Sequence, residues 1–568
     1  MGQGAPVNSA HVRRRTLLAA TAAWPLAGCM RDAPARYGGD WVGADVQRGH
    51  RLRDAVRAPT SAALPPPDVQ RRASVLVLGA GIAGLAATRA LTLAGIDDVQ
   101  VIELEDAPGG NSRGHAIAGM ACPLGAHYLP VPGGHAVEVI ELLEALGLRR
   151  TERGQPVYDE RSLCHSPQER LCIAGHWFDG LLPPVDALPA DQRAAALAQY
   201  RRFAAAVERA SAGGAFSMPT ARSTWRPALA ALDAQTFGAW LDAQGLDAPA
   251  LRWYLDYCCR DDYGAGAAQV SAWAGLHYFA SRHGFRAPGD GPPERDGVLT
   301  WPEGNAWLSR RMAQPLRERI HTGRVALRVT EERAEVRVDV WNAPEQRSEA
   351  WRAGHVVLAL PLFVAARLLD PAPAALTQAA ATSRHAPWLV ANLHLADALA
   401  DRPGAPPSWD NVIYDPGAAL PTLGYVDAMH QSTRSIPGPT VLTAYWALGG
   451  DTPAQLAQQR TRLLNEPWAA WSQAVVADLA RVHADLPVRL KRVDLMRYGH
   501  AMSIPVPGLR SSAALAALAA PQRRVHFAHT DLSGYSVFEE AMYQGARAAR
   551  QLRAGLRAAA PALRSRVA

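Results

Sequence analysis

The run Gly79-Ala80-Gly81-Ile82-Ala83-Gly84 sets three glycines in the pattern G-x-G-x-x-G, and a carboxylate, Glu103, follows about twenty positions on. Each residue type has a physical job in holding a dinucleotide. Gly79 permits a tight turn, Gly81 lets the backbone approach a pyrophosphate, and Gly84 lets a helix pack against a strand. Free amides at a helix start hold phosphate charge, and Glu103 accepts hydrogen bonds from ribose hydroxyls. Such residues need a strand, a turn and a helix to position them. Ser74–Leu78 is a short apolar run that predicts a buried parallel strand. Leu85–Ala94 predicts the helix, closed by Gly95, and Val99–Ile102 predicts a second strand ending at Glu103.

Glu105-Asp106-Ala107-Pro108-Gly109-Gly110-Asn111 follows, with Gly109 six positions after Glu103. This segment resembles the second glycine motif of the flavin amine oxidase and phytoene desaturase superfamily. Members usually carry arginine after the glycine pair. Asn111 stands there instead, with Arg113 two positions on, so either side chain is open as a partner for the pyrophosphate. Leu124-Gly125-Ala126-His127-Tyr128 resembles the family's loop beside the flavin ring. Val325–Val329, Glu335–Val338 and His355–Pro361 resemble its central β-unit, where the resemblance puts Val325 against the adenine. Val525-His526-Phe527-Ala528-His529-Thr530-Asp531 resembles the closing flavin strand, with Asp531 matching its acid and His529 replacing a glycine. The resemblance implies FAD as cofactor, with Gly79, Ala80, Gly81, Gly84, Glu103, Gly109, Gly110, Asn111, Gly125, Ala126, His127, Val325 and Asp531 in its site. The implied fold is α/β, a Rossmann-type FAD-binding domain built from separated segments plus an α+β substrate domain. The expected boundaries are 73–150, 298–380 and 501–568 for the first, and 151–297 with 381–500 for the second.

The substrate side is less legible. In monoamine oxidases a lysine near the flavin holds a water, but the matching strand Pro387–Leu395 has no lysine. Lys491 is in fact the only lysine among 59 basic residues, and its neighbours Arg489 and Arg492 suit a solvated face, which disfavours Schiff-base chemistry. No cysteine follows Cys259, so cysteine attachment of the flavin near the C-terminus is not expected. Trp253–Gly264 sets Asp261 and Asp262 among aromatics, a pattern that suits a cationic amine. The alternative is helix packing by Trp253, Tyr254 and Tyr257, with the aspartates capping a turn at Gly264. His127 is a further catalytic candidate, and Tyr535 and Phe538 are candidate aromatic walls. The expected function is oxidation of a small organic substrate, an amine and polyamine-like, by hydride transfer to flavin, with oxygen or another molecule as electron acceptor. The alternatives are desaturation or isomerisation of an apolar substrate, or an electron-transfer lipoprotein.

Composition bounds the rest. The formal charge is +7, yet the arginines are scattered without a basic, aromatic-interleaved stripe, so nucleic acid is not an expected partner. No Cys-x-x-Cys pair suggests a metal. An oxidising compartment would permit Cys164 and Cys172 to pair. Arg13-Arg14-Arg15 before a short apolar run resembles a twin-arginine export signal over 1–28, and Leu26-Ala27-Gly28-Cys29 resembles a lipobox. These imply lipidation at Cys29 and anchoring on the periplasmic side of a bacterial membrane. Residues 29–72, rich in proline and glycine, read as a linker.

Overall fold

The computed structural model describes residues 37–57, 67–290, 297–418, 422–432, 434 and 436–564. The export signal and Cys29 lie outside the described residues. Among those described, no helix is long and apolar enough to cross a membrane.

Two seven-stranded sheets organise the chain, within a mixed α/β architecture that contains a Rossmann-type FAD domain. In the first, Val69–Leu78 lies between Val99–Ile102 and Arg347–Leu358, parallel to both. Its N-terminal half alternates in burial, whereas Val75, Leu76, Val77 and Leu78 are all buried. That change marks where a strand enters a sheet covered on both faces. Arg347–Leu358 also pairs parallel to Val525–Phe527 and antiparallel to Val336–Asn342, which continues to Arg324–Glu331. The fingerprint helix, Ile82–Leu93, packs against the final helix, Phe538–Arg564. A methyl group on Gly545 would sit 2.2 Å from the Ala83 carbonyl oxygen, so only glycine allows this approach.

The second sheet is ordered Leu490–Ser503, His385–Leu395, Thr440–Ala447, Tyr425–Asp427, Asp410–Ile413, Glu169–Ile173 and His176–Asp179. Its strands are antiparallel except where Asp410–Ile413 meets Glu169–Ile173. Helices Arg193–Ser211, Pro249–Tyr263 and Ala272–Tyr278 contribute Tyr200, Phe203, Leu255 and Trp273 to a core shared with this sheet.

The linker reading of 29–72 is corrected where it can be seen. Val69–Arg72 already belongs to the first strand, and residues 37–57 are docked. Gly38 and Trp41 bridge in parallel to Arg492 and Leu495, and Val46–Arg57 is a helix. The cause is long-range: Leu490–Ser503 is an edge strand whose unpaired amides and carbonyls need partners. Composition alone does not reveal such a partner. Cys164 and Cys172 do not pair, and all five described cysteines are free thiols.

Candidate active site

One cavity of about 760 Å³ collects most residues singled out in the sequence. At one end stand Gly79, Gly81, Glu103, Gly109, Gly110, Asn111 and Val325. Gly125, Ala126 and His127 continue its wall, and Asp261 and Asp262 line it as well. The size suits an extended dinucleotide together with a small substrate.

The glycine-rich end fits a dinucleotide on its own geometry. Gly79 has φ +100°, and a methyl group on Gly84 would lie 1.8 Å from the Gly79 carbonyl oxygen. A methyl group on Gly81 would meet only the Gly110 Cα, at 3.8 Å. The protein itself does not forbid a side chain at Gly81; the space in front of it belongs to the cavity. The helix Ile82–Leu93 begins without a side-chain cap, so its first amides are open to a phosphate. Glu103 is buried and accepts hydrogen bonds from the amides of Ala80 (2.6 Å) and Glu105 (2.9 Å). Burial pushes its carboxyl up, against those two amides.

Three expected cofactor residues do not line the cavity. Ala80 meets two residues that do, donating its amide to Glu103 and accepting from the Gly109 amide (2.8 Å), and Gly84 serves helix–strand packing. Asp531 is fully buried behind His529 and His385, which do line it. Its oxygens are already occupied by the Leu362 amide (2.8 Å), His385 Nε2 (2.9 Å) and His529 Nδ1 (3.2 Å). Burial acts to raise this carboxyl, but the two histidines hold it well below the usual range. The same Nδ1 lies 3.1 Å from the Asp531 amide nitrogen, in a short turn where the family has glycine. Of the two candidates after Gly110, Asn111 lines the cavity and donates to the Ala501 carbonyl (2.6 Å). Arg113 points elsewhere, to the carbonyls of Gly110 and Gly43.

At the other end the capping alternative for the aspartates fails. Asp261 and Asp262 sit inside the helix Pro249–Tyr263, which ends on Gly264 in the left-handed conformation (φ +73°). Asp261 accepts a hydrogen bond from the Tyr128 hydroxyl (3.1 Å), and Asp262 pairs with Arg282. Arg282 also contacts Glu539 (3.3 Å), whose second oxygen is buried without a partner. Desolvation, with Asp262 as a neighbouring like charge, raises the Asp261 carboxyl to about 7. The packing alternative does hold for Trp253, Tyr254 and Tyr257, which join the helical core and stay off the cavity wall.

His127, the further catalytic candidate, lines the cavity among aromatic rings. Its ring is stacked on Tyr445 (centroids 4.4 Å apart) and burial lowers its pKa to about 3, so it stays neutral near neutral pH. Phe538 lines the cavity, but Tyr535 does not; Gly534, with φ +79°, turns the chain so that Tyr535 packs on Tyr263 and His277. The aromatic wall comes instead from Trp388 and Tyr445, on one face of neighbouring strands with Val390 opposite Tyr445 in register. Sequence reasoning missed Tyr445, Arg282 and Glu539 as site residues. Alternation could have flagged Tyr445, but Thr440–Ala447 is buried throughout and shows no two-residue period.

Residues 82–553 match the family described as flavin containing amine oxidoreductase. Among solved structures, cyclohexylamine oxidase from Brevibacterium oxydans IH-35A is similar at 20% identity and TM-score 0.61, over 87% of this chain and 100% of that one. Putrescine oxidase bound to putrescine is similar at 17% identity and TM-score 0.59, over 85% and 100%. A fatty acid isomerase from P. acnes is similar at 16% identity and TM-score 0.58, over 84% and 97%.

Proposed function

The chain belongs to the flavin containing amine oxidoreductase family and is an FAD-dependent oxidoreductase, and on that premise we propose that it oxidises a small aliphatic amine carrying more than one ammonium group. The observation behind this reading is a surplus of buried negative charge. Asp261, Asp262 and Glu539 line one end of the cavity, and Arg282 is the single guanidinium among them. An uncompensated buried charge is costly, so a cation entering this end gains what water cannot supply. The neighbouring aromatics Tyr445 and Trp388 add faces that attract cations.

FAD, which Gly79, Gly81, Glu103, Gly109 and Gly110 would hold, would supply the hydride acceptor for the carbon beside the amine nitrogen. The chain's own residues supply position and proton handling. Hydride loss requires the neutral amine, so a proton must first leave the reacting ammonium. Asp261, poised near neutrality and oriented by Tyr128, is the group suited to accept it. Asp262 and Glu539 then face any second ammonium. Trp388, Tyr445 and neutral His127 exclude water from this end.

The competing assignment, desaturation or isomerisation of an apolar substrate, is favoured by a wall without charges, whereas these carboxylates favour a cation. A steady-state panel tests the proposal. Aliphatic diamines are expected to exceed matched monoamines in kcat/KM by about tenfold or more, the effect of one added charge-assisted contact. Equal rates for both, or turnover of uncharged substrates only, would remove the basis for a cation site.

A further inference from the structure

Residues 37–57 precede the family-matched region, yet they are fastened to both halves of the molecule. The amide of Val42 donates to the Leu495 carbonyl (2.8 Å), and the amides of Val493 and Leu495 donate to Gly38 and Asp40 (both 2.9 Å). These bonds extend the second sheet at its open edge. On the other side, Arg48 donates to the Leu104 carbonyl (3.0 Å) and pairs with Asp106 (2.7 Å), in the loop directly after Glu103. Leu52 is buried with Leu76, Leu78 and Ile102, and Arg51 lies 4.0 Å over the Trp341 ring.

Held this way, the helix Val46–Arg57 turns one face to the cavity. Val46, Gly49, His50 and Arg53 all line it, at the i, i+3, i+4, i+7 spacing of a single helical face. Arg497 lines the same cavity. Arg497 donates to the Leu464 carbonyl (3.1 Å), but its Nε is buried without a partner. Arg53 shares its Nε with Asp54 (2.8 Å). Burial, and then the positive charges of Arg53 and Arg497, lower the pKa of His50. These donors lie in the cavity that also presents the uncapped amides of the fingerprint helix, so a ligand with negative charge and several acceptor oxygens matches them.

We propose that residues 37–57 are a clamp on the cofactor, in which His50 and Arg53, together with Arg497, donate to the phosphate oxygens of FAD. The segment makes cofactor retention depend on chain outside the family-matched region.

The test uses full-chain holoprotein and measures FAD release by flavin fluorescence across a range of salt concentrations. The double variant His50→Gln/Arg53→Gln is expected to bind FAD about tenfold to a hundredfold more weakly, with a shallower salt dependence than wild type. Gln47→Ala, on the exposed side of the same helix, should bind FAD as wild type does. Arg53→Lys should recover part of the affinity. Wild-type affinity and salt dependence in the double variant would overturn the proposal. Equal loss in the double variant and Gln47→Ala would also overturn it, because helix docking rather than these two side chains would then retain the cofactor. Circular dichroism of each variant confirms that the comparison is between folded proteins.

Discussion

Replacing Asp261 with asparagine is expected to slow amine-driven flavin reduction by about 10²–10⁴-fold, the contribution of a positioned general base, while FAD content stays at the wild-type level. Asparagine keeps the shape and can still accept from the Tyr128 hydroxyl, so the change removes proton affinity and charge alone. Folding should be no weaker than in wild type, since burying a carboxylate at this position costs stability that a neutral amide relieves. The pH profile gives a second readout. Asp261 accepts a proton only as carboxylate, so wild-type reduction should rise as pH increases through about 7. The variant should lose that limb and keep only the dependence from the amine's own ionisation. Tyr128→Phe removes a donor that favours the carboxylate and should move the limb to higher pH. An Asp261→Asn enzyme reduced at the wild-type rate would return this aspartate to a structural role.

Replacing Asp262 with alanine is expected to act on the fold instead, lowering stability by about 3–5 kcal/mol, the cost of removing one partner of a buried ion pair. The side chains of Asp262, Arg282 and Glu539 are 5%, 7% and 2% exposed. Without Asp262, the acidic partner left to the Arg282 guanidinium among the described residues is Glu539, at 3.3 Å. Urea unfolding followed by circular dichroism measures the loss, taken from the first transition because a chain of this size need not unfold in one step. Removing both partners together, as Asp262→Leu/Arg282→Leu, should cost less than the sum of the single losses. An unchanged midpoint in Asp262→Ala would mean that water reaches the pair and that this end of the cavity is wet.

What the sequence revealed and what it hid follow from how each part is assembled. Gly79, Gly81, Gly84 and Glu103 belong to one strand–helix–strand unit, whose chemistry is written in local spacing. The central β-unit was legible through its family resemblance, and Arg324–Glu331, Val336–Asn342 and Arg347–Leu358 are consecutive antiparallel strands that bring Val325 to the cavity wall. The substrate end has no local signature. Tyr128 meets Asp261 across 133 positions, and Arg282 reaches Asp262 from a π-helical turn, Phe279–His283, outside any regular period. The docked segment at 37–57 was hidden more deeply, because the strand that holds it lies about 450 residues further on, as the contact between Asp40 and Asp494 shows. Asp531 illustrates a different limit. Its motif position was visible, but only the neighbours His385 and His529 show that its oxygens are spent inside the protein.

The central claim is that a flavin end and an acidic end of one cavity act together on an amine. Anaerobic mixing of the holoenzyme with an aliphatic diamine tests it most directly, with the oxidised-flavin absorbance followed in a single turnover. Complete loss of that absorbance is expected, with saturating dependence on diamine, and a much slower loss in Asp261→Asn. A flavin that stays oxidised with every amine tried, yet bleaches with an apolar substrate that has no ionisable group, would contradict it.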